Sequence, residues 1–223
     1  MADRTYCYPG TTVLINKKGI TDAQKLLEAE VQYTSYRLLE LQLAPVKGKF
    51  DFRHLKDIHE YVFQDLYEWA GKIRTVDIGK GNLFCRVQFI DDYAQSIFET
   101  YYSKCWENRK DRAGFVDVLV KHYADLNALH PFREGNGRSQ REFARELCLH
   151  CGYIFDLSAT THEQMLNASI HSFNTGDNTE LLQIFKKAVI PIEEYKPSNV
   201  NLKILTSDDL DIQDVIDTYD YYE

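Results

Sequence analysis

The stretch His130-Pro-Phe-Arg-Glu-Gly-Asn-Gly-Arg-Ser-Gln-Arg141 decides the reading of this chain. Before it, Phe115, Leu119, His122, Leu126 and Leu129 recur at three-and-four spacing; after it come Phe143, Leu147 and Cys151. That pattern predicts helix, polar Gly-rich loop, helix. Gly135 and Gly137 let backbone N–H groups approach a ligand closely, and with the N-terminus of the second helix they form an anion-binding nest. Asn136 adds a side-chain donor. Arg138 and Arg141 stand three apart, within reach of the same end of a bound polyphosphate. Glu134 is a hard oxygen ligand suited to Mg²⁺ that bridges phosphates. His130 is a general base near neutral pH. A Gly-rich loop is commonly only a connector, and a His after a helix commonly only caps it. Here each polar position has a chemical task, and together they describe a phosphate-transfer site.

Upstream, Thr21-Asp-Ala-Gln24 has the capping-box pattern. Leu27, Val31, Thr34, Leu38 and Leu41 follow on one helical face, up to Ala44-Pro45 and Gly48. Asp51 is the expected cap of a second helix carrying Phe52, Leu55, His59, Val62, Leu66 and Trp69, with Gly71 as its stop. Period two then takes over. Ile73, Val76 and Ile78, the turn Gly79-Lys80-Gly81-Asn82, and Leu83, Cys85, Val87 and Phe89 predict a hairpin, the single β element expected. Helices resume after Asp91-Asp92. Thr161-His-Glu-Gln164 is another capping box, followed by Met165, Ser169 and Phe173, and Leu181, Leu182 and Phe185 mark a last short helix. Pro191 and Pro197 bracket a linker. The expected class is mainly α, with one small hairpin.

A chain of 223 residues, 44% of them apolar, suits one domain with its own core. No run approaches the roughly 18 apolar residues of a membrane span. Met1-Ala2-Asp3-Arg4 does not open a secretory signal, so the expected location is cytoplasmic, without a membrane partner. Cysteines number five, so they cannot all pair, and they read as thiols. Cys148 and Cys151, flanking His150, have a metal-like spacing but no matching second pair; core thiols are the better reading. His59 and His122 fall on apolar helical faces and read as satisfied core histidines. From Ser207 to Glu223 there are seven acidic residues and no Lys or Arg, which accounts for all but one unit of the net charge of −8. The body is therefore nearly neutral, which weighs against a nucleic-acid partner. The tail reads as a solvated extension.

At every fixed position His130 to Arg141 matches the Fic motif, H-P-F-x-(D/E)-G-N-G-R-x-x-R. Flanking residues agree: Tyr8-Pro9-Gly10, Val13-Leu14, Asn16-Lys17, Gly19-Ile20, and the run from Leu66 to Arg74 resemble the cell-filamentation type of Fic protein. The resemblance covers about residues 6–190. It implies a Fic-fold helical bundle with a small β-hairpin flap over the site. Residues 1–50 would form an N-terminal segment and helix packed on the core, 51–190 the core with flap about 73–90 and motif 130–141, and 191–223 a linker and acidic tail.

The resemblance also implies AMP transfer from ATP to a Ser, Thr or Tyr hydroxyl of a target protein. By position, His130 resembles the base and Glu134 the Mg²⁺ carboxylate. Gly135, Asn136 and Gly137 resemble the α-phosphate cradle, and Arg138 and Arg141 the β- and γ-phosphate clamps. Phe132 would be a packing anchor, Pro131 would fix the turn, and Arg133 and Gln140, at variable positions, would face solvent or target. The target would pair along the flap, with Phe84 or Val87 clamping its side chain. Two rivals stand beside this. Doc-type phosphotransferases carry a Lys where this chain has Gly137, and a non-catalytic regulatory module would not need His130, Glu134 and Asn136 intact. Many Fic proteins are inhibited by a helix bearing Ser/Thr-x-x-x-Glu-Gly/Asn that engages the second motif Arg, here Arg141. The pattern occurs at Ser103 to Asn108, with Glu107 as its acid, and reads as a coincidence. The expected inhibitor is instead a separate small helical protein of antitoxin type.

Overall fold

The computed structural model describes residues 5–196. Helix α1 (Ala23–Leu43) is capped by Asp22, whose side chain accepts from Lys25 N, and not by Thr21. Asp is as good a cap as Thr, and Gln24 is drawn instead to Glu28 one turn on. Helix α2 (Phe52–Phe63) begins at Asp51 as expected. It ends earlier than its apolar spacing suggests. Leu66, Tyr67 and Trp69 lie in turns that carry the chain back, and Gly71 N donates to His59 Nδ1 at 2.8 Å. Gly71 has a φ of +74° and lies against Glu60, so its stopping role is exercised from outside the helix.

The hairpin is also shorter than the alternation predicts. Strand β1 (Gly79–Lys80) pairs antiparallel with β2 (Asn82–Leu83) around Gly81, φ +79°. Residues Val87–Phe89 form a 3₁₀ turn that leads into α3 (Ile90–Phe98). Asp77 Oδ1 accepts from Val87 N at 2.8 Å, which bends the chain out of the strand direction. Helices α4 (Tyr101–Asn108), α5 (Arg112–Leu129) and α6 (Asn136–His150) follow. A second small sheet, absent from the sequence reading, joins β3 (Tyr153–Phe155) to β4 (Val189–Pro191). Three residues per strand are too few to show a period, and Pro191, read as a linker bracket, instead ends a strand opposite Tyr153. Between these strands lie α7 (His162–Thr175), opened by a complete Thr161/Gln164 capping box, and α8 (Thr179–Ala188).

Helix α5 is the axis of the bundle. Phe115, Leu119, Leu126 and Leu129 are fully buried, and α3, α4, α6, α7 and α8 pack around it. Cys105, Cys148 and Cys151 are buried free thiols, as the sequence suggested, and burial pushes all three upward in pKa. His59 is satisfied: Nε2–H donates to Glu134 O and Nδ1 accepts from Gly71. His122 is not. It stacks on Tyr101 at 4.4 Å, and neither ring nitrogen has a hydrogen-bond partner among the described residues. No helix among the described residues is long and apolar enough to cross a membrane. The acidic run from Ser207 lies outside the described residues.

Candidate active site

The loop between α5 and α6 is shaped by residues that look structural. His130 ends α5 in the left-handed region, φ +43°, one of two non-Gly residues with positive φ among the described residues. Its backbone N still closes the helix on Leu126 O at 3.0 Å. The turn throws its ring outward, and Nδ1–H faces Asn127 O at 3.1 Å. A carbonyl can only accept, so this contact places the proton on Nδ1 and makes Nε2 the basic nitrogen. Phe84 of the hairpin stacks flat on the imidazole, centroids 3.7 Å apart and planes 10° apart, and Phe173 of α7 packs on Phe84 at 4.7 Å.

Beyond His130, Phe132 is the buried anchor expected, stacked on His59 at 3.8 Å. Gly135 has φ +79°, and a Cβ there would lie 2.1 Å from the Phe63 ring. The loop thus approaches α2 where only hydrogen fits. Asn136 behaves differently from its expected donor role. Its Oδ1 accepts from Phe132 N and its Nδ2 donates to Phe132 O, both at 2.9 Å. The amide braces the loop with Oδ1 and one of its two N–H groups, and Asn136 lines the cleft at the first turn of α6. Gln140 is buried and donates to Leu126 O, yet it also lines the cleft. Arg133 lies over the Tyr6 ring at 5.8 Å, on the N-terminal segment.

The two motif arginines part company. Arg141 lines the cleft, its guanidinium 3.1 Å from where a Gly137 Cβ would stand. Arg138 does not line it. It is 2% exposed, ion-paired with Glu30 of α1, and donates to Thr34 Oγ1 at 3.3 Å. On a helix, i and i+3 share a face only loosely. Here the i,i+3 pair splits between a wall against α1 and a wall on the cleft. Glu134 stands at the cleft margin. Its Oε1 accepts from Gly135 N at 2.6 Å and lies 3.6 Å from Arg138 Nη2.

The cleft measures about 440 Å³. Its lining unites His130, Glu134, Asn136, Gly137 and Arg141 with Phe84 and with the apolar α7 residues Met165, Leu166 and Ile170. Gly135 and Arg138 act from behind it. Val87 lies in the 3₁₀ turn with its N–H engaged by Asp77, so it is not a ladder position of the hairpin. Glu107, on the exposed face of α4, is not part of the lining.

Arg74 escaped the sequence reading. It is 1% exposed, donates from Nε to His130 O at 2.9 Å and from Nη1 to Val76 O at 2.8 Å, and also reaches Cys85 O. Its own N–H donates to Pro131 O at 2.9 Å. One side chain thus ties the chain on both sides of the hairpin to the backbone of the candidate base. The available signal was a lone Arg in an otherwise apolar period-two run. The hairpin tip is fixed a second time, where Asn82 Nδ2 donates to Asn174 Oδ1 on α7 at 2.7 Å.

Comparison with known proteins identifies relatives of the chain. The Fic/DOC family profile matches residues 49–148. The chain is 34% identical to the probable protein adenylyltransferase Fic of Escherichia coli over 186 residues, covering 82% of this chain and 91% of that protein. It is 40% identical over 169 residues to the protein adenylyltransferase VbhT of Bartonella schoenbuchensis, covering 75% of this chain but 35% of the longer relative. Among solved structures, the N-terminal Fic domain of a putative cell filamentation protein from Bartonella quintana, with bound ADP, superposes with a TM-score of 0.78. It is 28% identical and covers 86% of this chain and 97% of that domain. BepC of Bartonella tribocorum with bound AMPPNP also gives 0.78, at 26% identity, covering 85% and 98%.

Proposed function

The chain belongs to the Fic/DOC family, and from that premise we propose that it is a protein adenylyltransferase, moving AMP from ATP to a Ser, Thr or Tyr hydroxyl of a target protein. The carrying observation is the union in one cleft of a base with an assigned tautomer, a helix N-terminus and Arg141. The α6 N-terminus and Arg141 suit the phosphates of ATP, and the apolar stretch of α7 suits its base. The target oxygen attacks the α-phosphorus while its proton passes to His130 Nε2. The bond from that phosphorus to the bridging oxygen breaks, and pyrophosphate leaves. Positioning and electrostatics supply most of the rate in such transfers.

Glu134 fits Mg²⁺: it is a carboxylate at the cleft margin, and this ion commonly takes one or two carboxylates plus nucleotide phosphates. When bound, Mg²⁺ would neutralise charge on the departing pyrophosphate. The target segment pairs along the hairpin edge, beside Phe84. Five thiols without a disulfide suit a reducing cytoplasm. Control by a separate small helical inhibitor is favoured by the position of Glu107, exposed and outside the cleft lining. Growth arrest on expression alone, relieved by such a partner, checks this; full activity control within the purified chain overturns it.

The test of the activity is incubation with ATP labelled at the α- or the γ-phosphate. Label transferred from α alone is expected, and label from γ alone favours phosphotransfer. His130→Ala should reduce transfer by about 10²- to 10⁴-fold with ATP affinity retained. Transfer near the wild-type rate in that variant refutes the base.

A further inference from the structure

Helix α1 carries a carboxylate and a hydroxyl, Glu30 and Thr34, on its buried face beside Leu26 and Val31. Glu30 is engaged at both oxygens, by Arg138 at Oε1 and by the Tyr67 hydroxyl at Oε2. Burial and the adjoining Glu30 carboxylate push the Tyr67 phenol upward in pKa, which keeps it a donor. The Arg138 guanidinium lies over the Phe63 ring at 4.7 Å, and its Nη2 is shared between Glu30 and, at 3.6 Å, Glu134 Oε1.

A buried ion pair is poor evidence for stability, because well-packed apolar residues of the same volume often serve as well or better. The charges here do something an apolar trio would not. They fix a positive group against one oxygen of the carboxylate at the cleft margin. With Gly135 N on the same oxygen at 2.6 Å, the Glu134 carboxylate is held at Oε1 by two groups.

We infer that Glu30 and Tyr67 are positioning residues of the transfer site: they hold Arg138, and Arg138 orients Glu134 toward the Mg²⁺ that accompanies the nucleotide. The inference rests on the nucleotide-transfer reading above. It gives α1 and the turn after α2 a part in the site, and gives Arg138 a task other than clamping phosphate. Outer partners of metal ligands are conserved devices for this purpose, and losing them commonly weakens metal binding about 10- to 100-fold.

The test is binding of an ATP analogue with a methylene between the α- and β-phosphates, followed by calorimetry across a Mg²⁺ titration. The variants are Glu30→Gln and Tyr67→Phe. In both, the Mg²⁺ concentration for half-maximal binding should rise about tenfold, with affinity in EDTA within about twofold of wild type. Where Glu30→Gln does not fold, Tyr67→Phe decides alone. An unchanged Mg²⁺ midpoint in folded Tyr67→Phe overturns the inference, as does equal loss of affinity with and without Mg²⁺, the mark of a merely structural role. Absence of any nucleotide binding by the wild type overturns the functional reading itself, and this inference with it.

Discussion

Replacing Asn136 separates two roles that its place in the motif confounds. If its amide is a phosphate donor, Asn136→Ala costs nucleotide affinity and little stability. The structure commits both amide atoms to Phe132, with two bonds of 2.9 Å. Phe132 is fully buried, so its N–H and C=O have no water to turn to when the amide is removed. An unsatisfied buried polar group costs about 1–3 kcal/mol, so losing both bonds amounts to about 2–6 kcal/mol. For a domain of this size each kcal/mol lowers Tm by about 2–4 °C, and a mid-range loss of about 4 kcal/mol lowers it by about 8–16 °C. Asn136→Asp should fall between, because it keeps an acceptor for Phe132 N but sets a carboxylate oxygen against Phe132 O. Scanning calorimetry without nucleotide reads the effect. The reasoning is refuted if Asn136→Ala melts within about 2 °C of wild type while ATP affinity collapses.

Arg74→Met leaves three half-buried carbonyls, those of His130, Val76 and Cys85, without the side chain that serves them. Transfer to target should fall at least about tenfold, with a stability loss on the order of 3 kcal/mol. Equal target transfer in urea-titrated, folded protein refutes the clip. Burial lowers the pKa of His122 from its usual 6.5 to about 4. Between those values the unfolded chain binds more protons, so stability is complete above pH 6.5 and is lost progressively as pH falls toward 4. At pH 5 this one residue costs about 2 kcal/mol. His122→Phe removes two nitrogens without partners, and should raise stability at pH 7 by about 1 kcal/mol and flatten its decline between pH 6.5 and 4. Urea midpoints at both ends of that window check it, and an unchanged slope refutes it.

Period and caps were legible in the chain itself. Three-and-four spacing located α5 and α6, Asp51 and Thr161 announced helix starts, and the glycines between His130 and Arg141 marked the loop, because helical periodicity and capping are local consequences of backbone geometry. Chemistry followed from residue types: a base, a hard-oxygen ligand and a Gly-rich helix start cannot be read from the sequence as a hydrophobic core. What tertiary structure decided was which atoms remain for ligands after neighbours have taken their share. Arg138 and Arg141 are equivalent in sequence, yet Glu30, more than a hundred positions away, claims one and leaves the other on the cleft. Of the two amide hydrogens of Asn136, one goes to Phe132 O. The hairpin's alternation runs on to Phe89, while Asp77 takes Val87 N–H and ends the strand early. A side chain's chemistry belongs to its sequence position; its hydrogen-bond partners are set by residues that only folding brings near.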